Sequence, residues 1–353
     1  MLTRKSGNLI LDASRSGRSC YVACFPELEF FSLTLQEEFR GVRTREGILL
    51  AGPLGWGEFS PFPNYTPIQD SLWLRAALES AFVPLKYPEN SSVAVNAIIG
   101  DNEDSYLGSA RALNEFGCTT IKIKVGLDVD QDVERVQEIV RAFVDAGQLN
   151  KLLIRLDANG RWGIAQAVDT ISELQSVPIE YIEQPCRSAT QLRELRKKVT
   201  VPIAVDEIVR IDGQHQVSEF ADLAIIKVSP LGGTDAVERL IEKLDVPVRF
   251  SSAFESSVGL NSSLLAAHKF APHQVAGLGT GMLLATDTVK RPVIPHEGRI
   301  RVVKCEPDPE QLKRVPLPQT QQDLWRKRLA KAWDLIPESQ LASWGVPKRS
   351  VQG

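Results

Sequence analysis

The chain has 353 residues, a formal net charge of −3, 43% hydrophobic and 24% charged residues. That balance builds a substantial core but excludes a nucleic-acid-binding surface, which needs a basic excess. The length admits one large barrel with a smaller domain, or two to three ordinary domains.

Five cysteines (Cys20, Cys24, Cys118, Cys186, Cys305) are odd in number and scattered, with no second pair or histidine cluster to complete a zinc spacing. They read as reduced thiols. Met1–Ile10 lacks the unbroken apolar core of a secretory leader, and no run approaches the roughly 18 apolar residues of a membrane span. These features read as a cytoplasmic, soluble protein with neither membrane nor nucleic acid as partner.

Residues 1–90 read as an α+β unit. Phe30–Leu35 and Glu46–Leu50 alternate as strands of a small antiparallel sheet, and Trp56–Phe62, rich in glycine and proline, reads as a turn-rich loop holding aromatics and one acid. Ile68–Leu85 has helical spacing. From about Ser92 the texture changes. Candidate strands Val93–Ala97, Thr119–Val125, Leu152–Asp157, Ile179–Glu183, Ile203–Asp206, Leu223–Lys227, Val248–Ser252 and Val275–Leu278 alternate with amphipathic segments. Those segments are Tyr106–Phe116, Gln131–Ala146 (closed by Gly147 as a C-cap), Ile164–Leu174, Ala189–Lys198, Asp235–Leu244 and Ser256–Phe270.

Strand ends at Lys124, Asp157, Glu183, Asp206, Lys227 and Ser252 are spaced by 33, 26, 23, 21 and 25 residues, the rhythm of βα units. With no Gly-x-Gly-x-x-Gly turn after the first strand, that rhythm predicts a (β/α) barrel over 91–300 rather than a dinucleotide-binding sheet. Residues 301–353 hold a proline-broken stretch and a helix over Gln319–Leu335 that returns to the N-terminal unit, ending in a loose tail from Gly345.

Three acids, Asp157, Glu183 and Asp206, close three successive strands, and the C-terminal strand ends of a barrel converge on one mouth. Singly, each acid reads better as a helix N-cap or first-turn acid. Together, without histidine or cysteine beside them, they form a hard oxygen site that favours Mg²⁺. In Thr119–Gly126, Thr120, Lys122 and Lys124 share one strand face and Ile121, Ile123 and Val125 the other. On a two-layer sheet those lysines would face water; in a barrel they line the mouth. Lys227 ends an apolar strand across from them, and a lysine beside other cations and a metal ion loses its proton more readily. A carboxylate substrate and proton abstraction beside the carboxylate follow. The four histidines (His215, His268, His273, His296) lie outside these strand ends.

Lys122-Ile-Lys124, Asp157-Ala-Asn159, Glu183-Gln-Pro185, Asp206-Glu207 and Lys227 resemble the enolase superfamily, in its paired-lysine subgroup. The resemblance covers almost the whole chain. It implies a modified (β/α)₇β TIM-like barrel with an α+β capping domain, Mg²⁺ on Asp157, Glu183 and Asp206, and a small-molecule carboxylate substrate. Gly52–Phe62 and Ser251–Leu260 are similar to the o-succinylbenzoate synthase family, whose members dehydrate 2-succinyl-6-hydroxy-2,4-cyclohexadiene-1-carboxylate in menaquinone or phylloquinone synthesis. That similarity implies Lys124 as the base, Lys227 as the group stabilising the enediolate, and Lys122 beside the substrate carboxylate. Asn159, Ser256 and Gly279 are the further candidate contacts, the last two toward the succinyl tail. The same strand ends would serve an N-acylamino acid racemase or dipeptide epimerase, with Lys124 and Lys227 opposed across one carbon. A non-catalytic barrel is the reading from another class, and no ligand or lysine is missing to favour it. A homo-oligomer is compatible with the sequence, which does not specify one.

Overall fold

In a computed structural model, residues 27–39, 41–210 and 216–346 are described. The expectations for the N-terminal segment, Cys20, Cys24, His215 and the tail beyond Val346 lie outside them. Strands β1 (Leu28–Phe39), β2 (Val42–Gly52) and β3 (Gly55–Phe59) form an antiparallel sheet in that order, and α1 (Pro67–Phe82) packs on it. Thr66 and Gln69 form a capping box at the start of α1, which Pro67 opens.

The strand β3 corrects the loop expected over Trp56–Phe62. Its glycines serve close approach: a Cβ on Gly57 would stand 1.9 Å from the Ala77 carbonyl oxygen, so the glycine lets α1 press against the strand.

After β4 (Ser92–Ala94), the second sheet begins with β5 (Ala97–Ile99). The single strand expected at Val93–Ala97 is two: β4 pairs antiparallel with β12 (Arg299–Arg301), and β5 opens the barrel. There follow α2 (Ser105–Asn114), β6 (Thr120–Lys124), α3 (Val129–Asp145), β7 (Leu153–Asp157), α4 (Ile164–Glu173), β8 (Ile179–Glu183) and α5 (Ala189–Arg196). Next come β9 (Ile203–Val205), α6 (Glu207–Arg210), β10 (Leu223–Ile226), α7 (Val228–Leu231), α8 (Thr234–Ile241), β11 (Val248–Phe250) and α9 (Ser257–Phe270). Strands β5 to β11 are parallel and adjacent in chain order. The expected last strand at Val275–Leu278 is present as two parallel bridges, Val95 to Ala276 and Ser251 to Gly277, which join the two edges. The result is the TIM-like barrel the βα rhythm predicts.

Arg155 plugs the interior, fully buried, donating to Glu180 Oε2 at 2.7 Å, Asn96 Oδ1 at 2.7 Å and the Val275 carbonyl at 2.9 Å. With each guanidinium nitrogen bonded, across three segments, this buried charge fastens the closed sheet.

After the barrel, α10 (Pro309–Leu312), α11 (Gln319–Trp333) and α12 (Glu338–Ser343) return to the N-terminal sheet. Trp325, Leu329 and Trp333 of α11 share a core with Trp73 and Leu78 of α1, and Phe59 meets Trp325 edge-on at 5.8 Å. Val346, expected in a loose tail, is packed: its amide donates to Leu341 O at 2.9 Å and its side chain is buried, while Gly345 beside it is exposed.

Candidate active site

All five residues of β6 are buried. Ile121 and Ile123 turn outward to the helix-covered core, which leaves Lys122 and Lys124 inside. Register carries this alternation across the sheet: Lys122 stands beside Arg155 and Tyr181, while Lys124 stands beside Asp157 and Glu183. A β-bulge makes the second row possible. Ile154 pairs with Ile179, but Arg155 pairs with Tyr181, so Glu180 is the extra residue. Without it Asp157 would face Ile182, and Glu183 would point away from the interior. Glu183 in turn pairs with Ala204, placing Asp206 two residues further along the same inner face. Ile225 is likewise inward, with Tyr181 and Ala204, and Lys227 follows it by two.

The structure therefore brings together six of the residues singled out above, all buried. Lys122 Nζ lies 2.7 Å from Asp157 and 2.5 Å from Glu183. Lys124 Nζ lies 2.6 Å from Asp157 and 2.7 Å from Asn159 Oδ1. Lys227 Nζ lies 2.5 Å from Asp206, whose other oxygen accepts from Arg210 Nε at 3.2 Å. Asn159 thus orients Lys124 and is itself held in the left-handed region at φ 47, directly after β7. Gln184 after β8 and Phe254 after β11 share that conformation, at φ 44 and 71. Such strain at three strand ends around one mouth is characteristic of functional sites.

Burial alone would pull Lys122 down and push Asp206 up. Asp157 and Glu183 outweigh it and hold Lys122 above the ordinary lysine value, while Lys227 and Arg210 hold Asp206 well below the usual carboxylate range. Glu207, beside Asp206, is raised by burial and then by its acidic neighbours.

Ser256 and Gly279 are placed differently. The Ser256 hydroxyl caps α9 by accepting from Val258 N at 3.2 Å and donates to Glu58 of the N-terminal sheet. Glu58 also accepts from the amides of Ser256 and Gly259, each at 3.1 Å, so a carboxylate already fills this helix start. Gly279 presses on Asn96, with room for no side chain: a Cβ would meet the Asn96 carbonyl oxygen at 2.4 Å. Arg210 and Arg155 were not anticipated, and Glu207 and Glu58 were noted only within their sequence motifs, without a role. The first had a signal, since Asp206 and Arg210 are four residues apart at the head of a helix.

As they stand, the three carboxylates are turned to ammonium and guanidinium groups, and no group of three or more His, Cys, Asp or Glu among the described residues is arranged to hold a metal ion. The donor set nonetheless fits a hard divalent cation. It is all oxygen and buried, and Glu183 Oε1 is left without a hydrogen-bond partner. Chemically, the mouth can bind a carboxylate, remove a neighbouring proton and stabilise the charge that results.

Comparison with known proteins places residues 106–308 in the family model for enolase C-terminal domain-like proteins and residues 30–81 in that for enolase N-terminal domain-like proteins. The chain is 36% identical over 325 residues to the o-succinylbenzoate synthase of Mycobacterium tuberculosis, covering 90% of this chain and 97% of that one. To the o-succinylbenzoate synthase of Thermobifida fusca it is 38% identical over 320 residues, covering 87% and 96%. Among solved structures it is similar to the N-succinyl Arg/Lys racemase of Bacillus cereus, with TM-score 0.66, 18% identity and coverage of 82% and 97%. The muconate lactonizing enzyme of Pseudomonas fluorescens gives TM-score 0.64, 18% identity and coverage of 82% and 97%; these likenesses bear on the fold alone.

Proposed function

The chain belongs to the enolase superfamily, and from that premise we propose that it is an o-succinylbenzoate synthase, a hydro-lyase acting on 2-succinyl-6-hydroxy-2,4-cyclohexadiene-1-carboxylate. The observation that carries the reading is the buried row of Lys124, Asp157 and Glu183, with Lys227 held on Asp206 across the mouth. The similarity to synthases over nine-tenths of the chain supplies the substrate.

Asp157, Glu183 and Asp206 would hold Mg²⁺, which supplies charge neutralisation at the substrate carboxylate. Lys122 lies where it can pair with the same carboxylate. Lys124, oriented by Asn159, takes the ring proton next to that carboxylate; the C–H electron pair forms a double bond to the carboxylate carbon, whose carbonyl pair moves onto oxygen to give an enediolate. Lys227 opposes the developing negative charge. The electrons return, the ring C–O bond breaks, and Lys124 gives its proton to the departing hydroxide as water. One base serves both transfers because proton and hydroxide leave from one face.

The charge balance supports a dianionic substrate. Asp157, Glu183, Asp206 and Glu207 are matched by Lys122, Lys124, Lys227 and Arg210, so a divalent cation and a dicarboxylate together add no net charge to a buried site. The step lies in quinone synthesis, toward menaquinone or phylloquinone. A cytoplasmic setting is consistent with the unpaired thiols of Cys118, Cys186 and Cys305.

The test is turnover of the cyclohexadiene substrate by the purified protein with Mg²⁺, followed as loss of the conjugated diene. The opposed positions of Lys124 and Lys227 also suit a racemase. Absence of dehydration together with racemisation of N-succinyl amino acids would overturn the synthase reading in favour of that one.

A further inference from the structure

The proposed reaction gives no role to the C-terminal extension, yet one guanidinium on α11 has a distinctive set of partners. Arg328 Nε and Nη2 each meet one oxygen of Asp70, in the first turn of α1, at 2.6 Å. Its Nη1 donates to the Pro61 carbonyl at 3.0 Å, and Nη2 donates also to the Phe62 carbonyl. One planar fork thus ties α11 to α1 and to two successive carbonyls of the loop joining β3 to α1. Arg is suited to this because its donors are fixed in one plane.

The loop has reason to need an outside hold. Its sequence is Ser60-Pro61-Phe62-Pro63-Asn64-Tyr65-Thr66, and the two prolines remove two of its seven amide donors. A turn, Tyr65 N–H to Phe62 O at 3.1 Å, spans its middle.

The loop also faces the mouth. The Arg45 guanidinium lies 4.2 Å over the Phe62 ring, and Arg45 Nε donates at 3.0 Å to the carbonyl of Phe254, the left-handed residue after β11. Tyr65 packs on Phe62 with ring centroids 5.8 Å apart. A chain of contacts therefore runs from α11 through Phe62 and Arg45 to the turn after β11, at the C-terminal strand ends of the barrel.

We propose that Arg328 is a positioning residue: through its hold on the Pro61 and Phe62 carbonyls it fixes the β3–α1 loop over the barrel mouth and so sets substrate affinity. For stability alone, the Asp70 pairing would suffice; the two carbonyl contacts are the part that serves the loop. The kinetic consequence rests on the synthase reading, whereas the effect on the loop does not.

Arg328→Lys separates the two functions, since an ammonium can still pair with Asp70 but cannot span both carbonyls and both carboxylate oxygens. We expect R328K to keep kcat within about twofold while KM rises about 10-fold, the signature of lost binding that is equal in ground and transition states. Amide hydrogen exchange at Phe62 and Tyr65 should accelerate about 10-fold, with amides in the middle of α1 unchanged. Wild-type KM together with wild-type exchange in R328K would overturn the proposal. So would exchange accelerated equally across α1 and the loop, which would reduce Arg328 to a stability contact. Loop exchange that accelerates in R328K while the wild type does not turn over the diene would uphold the loop role and overturn the synthase reading.

Discussion

Lys122→Met tests the electrostatics of the mouth apart from its chemistry. Lys122 Nζ lies 2.7 Å from Asp157 and 2.5 Å from Glu183, with both acids fully or almost fully buried. Methionine keeps the length of the side chain and removes the charge, leaving Glu183, whose other oxygen already lacks a partner, as an uncompensated buried carboxylate. Breaking such a pair from one side costs about 3–5 kcal/mol. At about 2 °C per kcal/mol for a large domain, the metal-free Tm should fall by roughly 6–10 °C. Mg²⁺ should narrow this difference. In the wild type a cation at these carboxylates competes with the ammonium; in K122M it does not. Added Mg²⁺ should therefore raise the Tm of the variant more than that of the wild type, closing most of the gap. Calorimetry with and without MgCl₂ reads both numbers. A metal-free variant as stable as the wild type, or equal Mg²⁺ shifts in the two proteins, would refute the reasoning. The pH dependence follows as well. Burial lowers the Lys122 pKa, but Asp157 and Glu183 outweigh it and raise it above 10.5. Its contribution is fully present below that value and is lost as pH rises through the folded-state pKa, so the alkaline arm of the stability curve should be flatter in K122M.

Lys124→Ala should lower kcat by at least about 10³-fold while far-ultraviolet circular dichroism and Mg²⁺ binding by titration calorimetry stay close to wild type, since Asp157 keeps Lys122; substantial residual turnover would remove Lys124 from the role of base. Asn159→Gly keeps the backbone conformation at φ 47 but deletes the oxygen 2.7 Å from Lys124 Nζ. Its expected effect is a kcat about 10-fold lower with little change in Tm, measured by steady-state kinetics and thermal melting. Gly57→Ala would push a methyl group to within 1.9 Å of the Ala77 carbonyl oxygen, forcing α1 off β3; a loss of about 3 kcal/mol or more in urea unfolding is expected, and a neutral result would show that the helix can shift freely.

The barrel was legible because its signal is local and repeated: a short apolar strand, a polar residue at its end, and a helix of fixed length before the next. Lys124, Asp157, Glu183, Asp206 and Lys227 could each be found by their position in that rhythm. What escaped were features decided by a partner far along the chain. Trp56–Phe59 read as a loop because glycine there looks like a turn, whereas Gly57 is dictated by a helix some twenty residues later. Ser256 read as a candidate contact, yet its hydroxyl is claimed by Glu58 from the other sheet, about two hundred residues earlier. The Glu180 bulge is invisible in Ile179–Glu183, where plain alternation happens to put Tyr181 and Glu183 on one face but also Ile179, which in the structure faces the outer core.

The bulge also clarifies how the site constrains its own evolution of function. A register slip of one residue on β8 would carry Glu183 out of the row with Asp157 and strip Lys122 of one of its two acids. The row of Lys124, Asp157 and Glu183, proposed above to bind the substrate carboxylate and move its neighbouring proton, is therefore set by the sheet, through hydrogen bonds that substrate differences do not touch. Choice of substrate must lie in groups that the sheet does not set. Those are the loop over Ser60–Thr66, the turn from Ala253 to Ser256, and the side chains that bind the two together, with Arg45 on Phe254 O and Glu58 on Ser256. On the proposed assignment, dehydration and racemisation share every strand-end residue, so exchanging these two loops between a synthase and a racemase should move KM and the preferred substrate while leaving in place the pH dependence set by Lys124, the proposed base. A changed pH profile without a changed substrate preference would mean that the loops act on the base and not on the substrate.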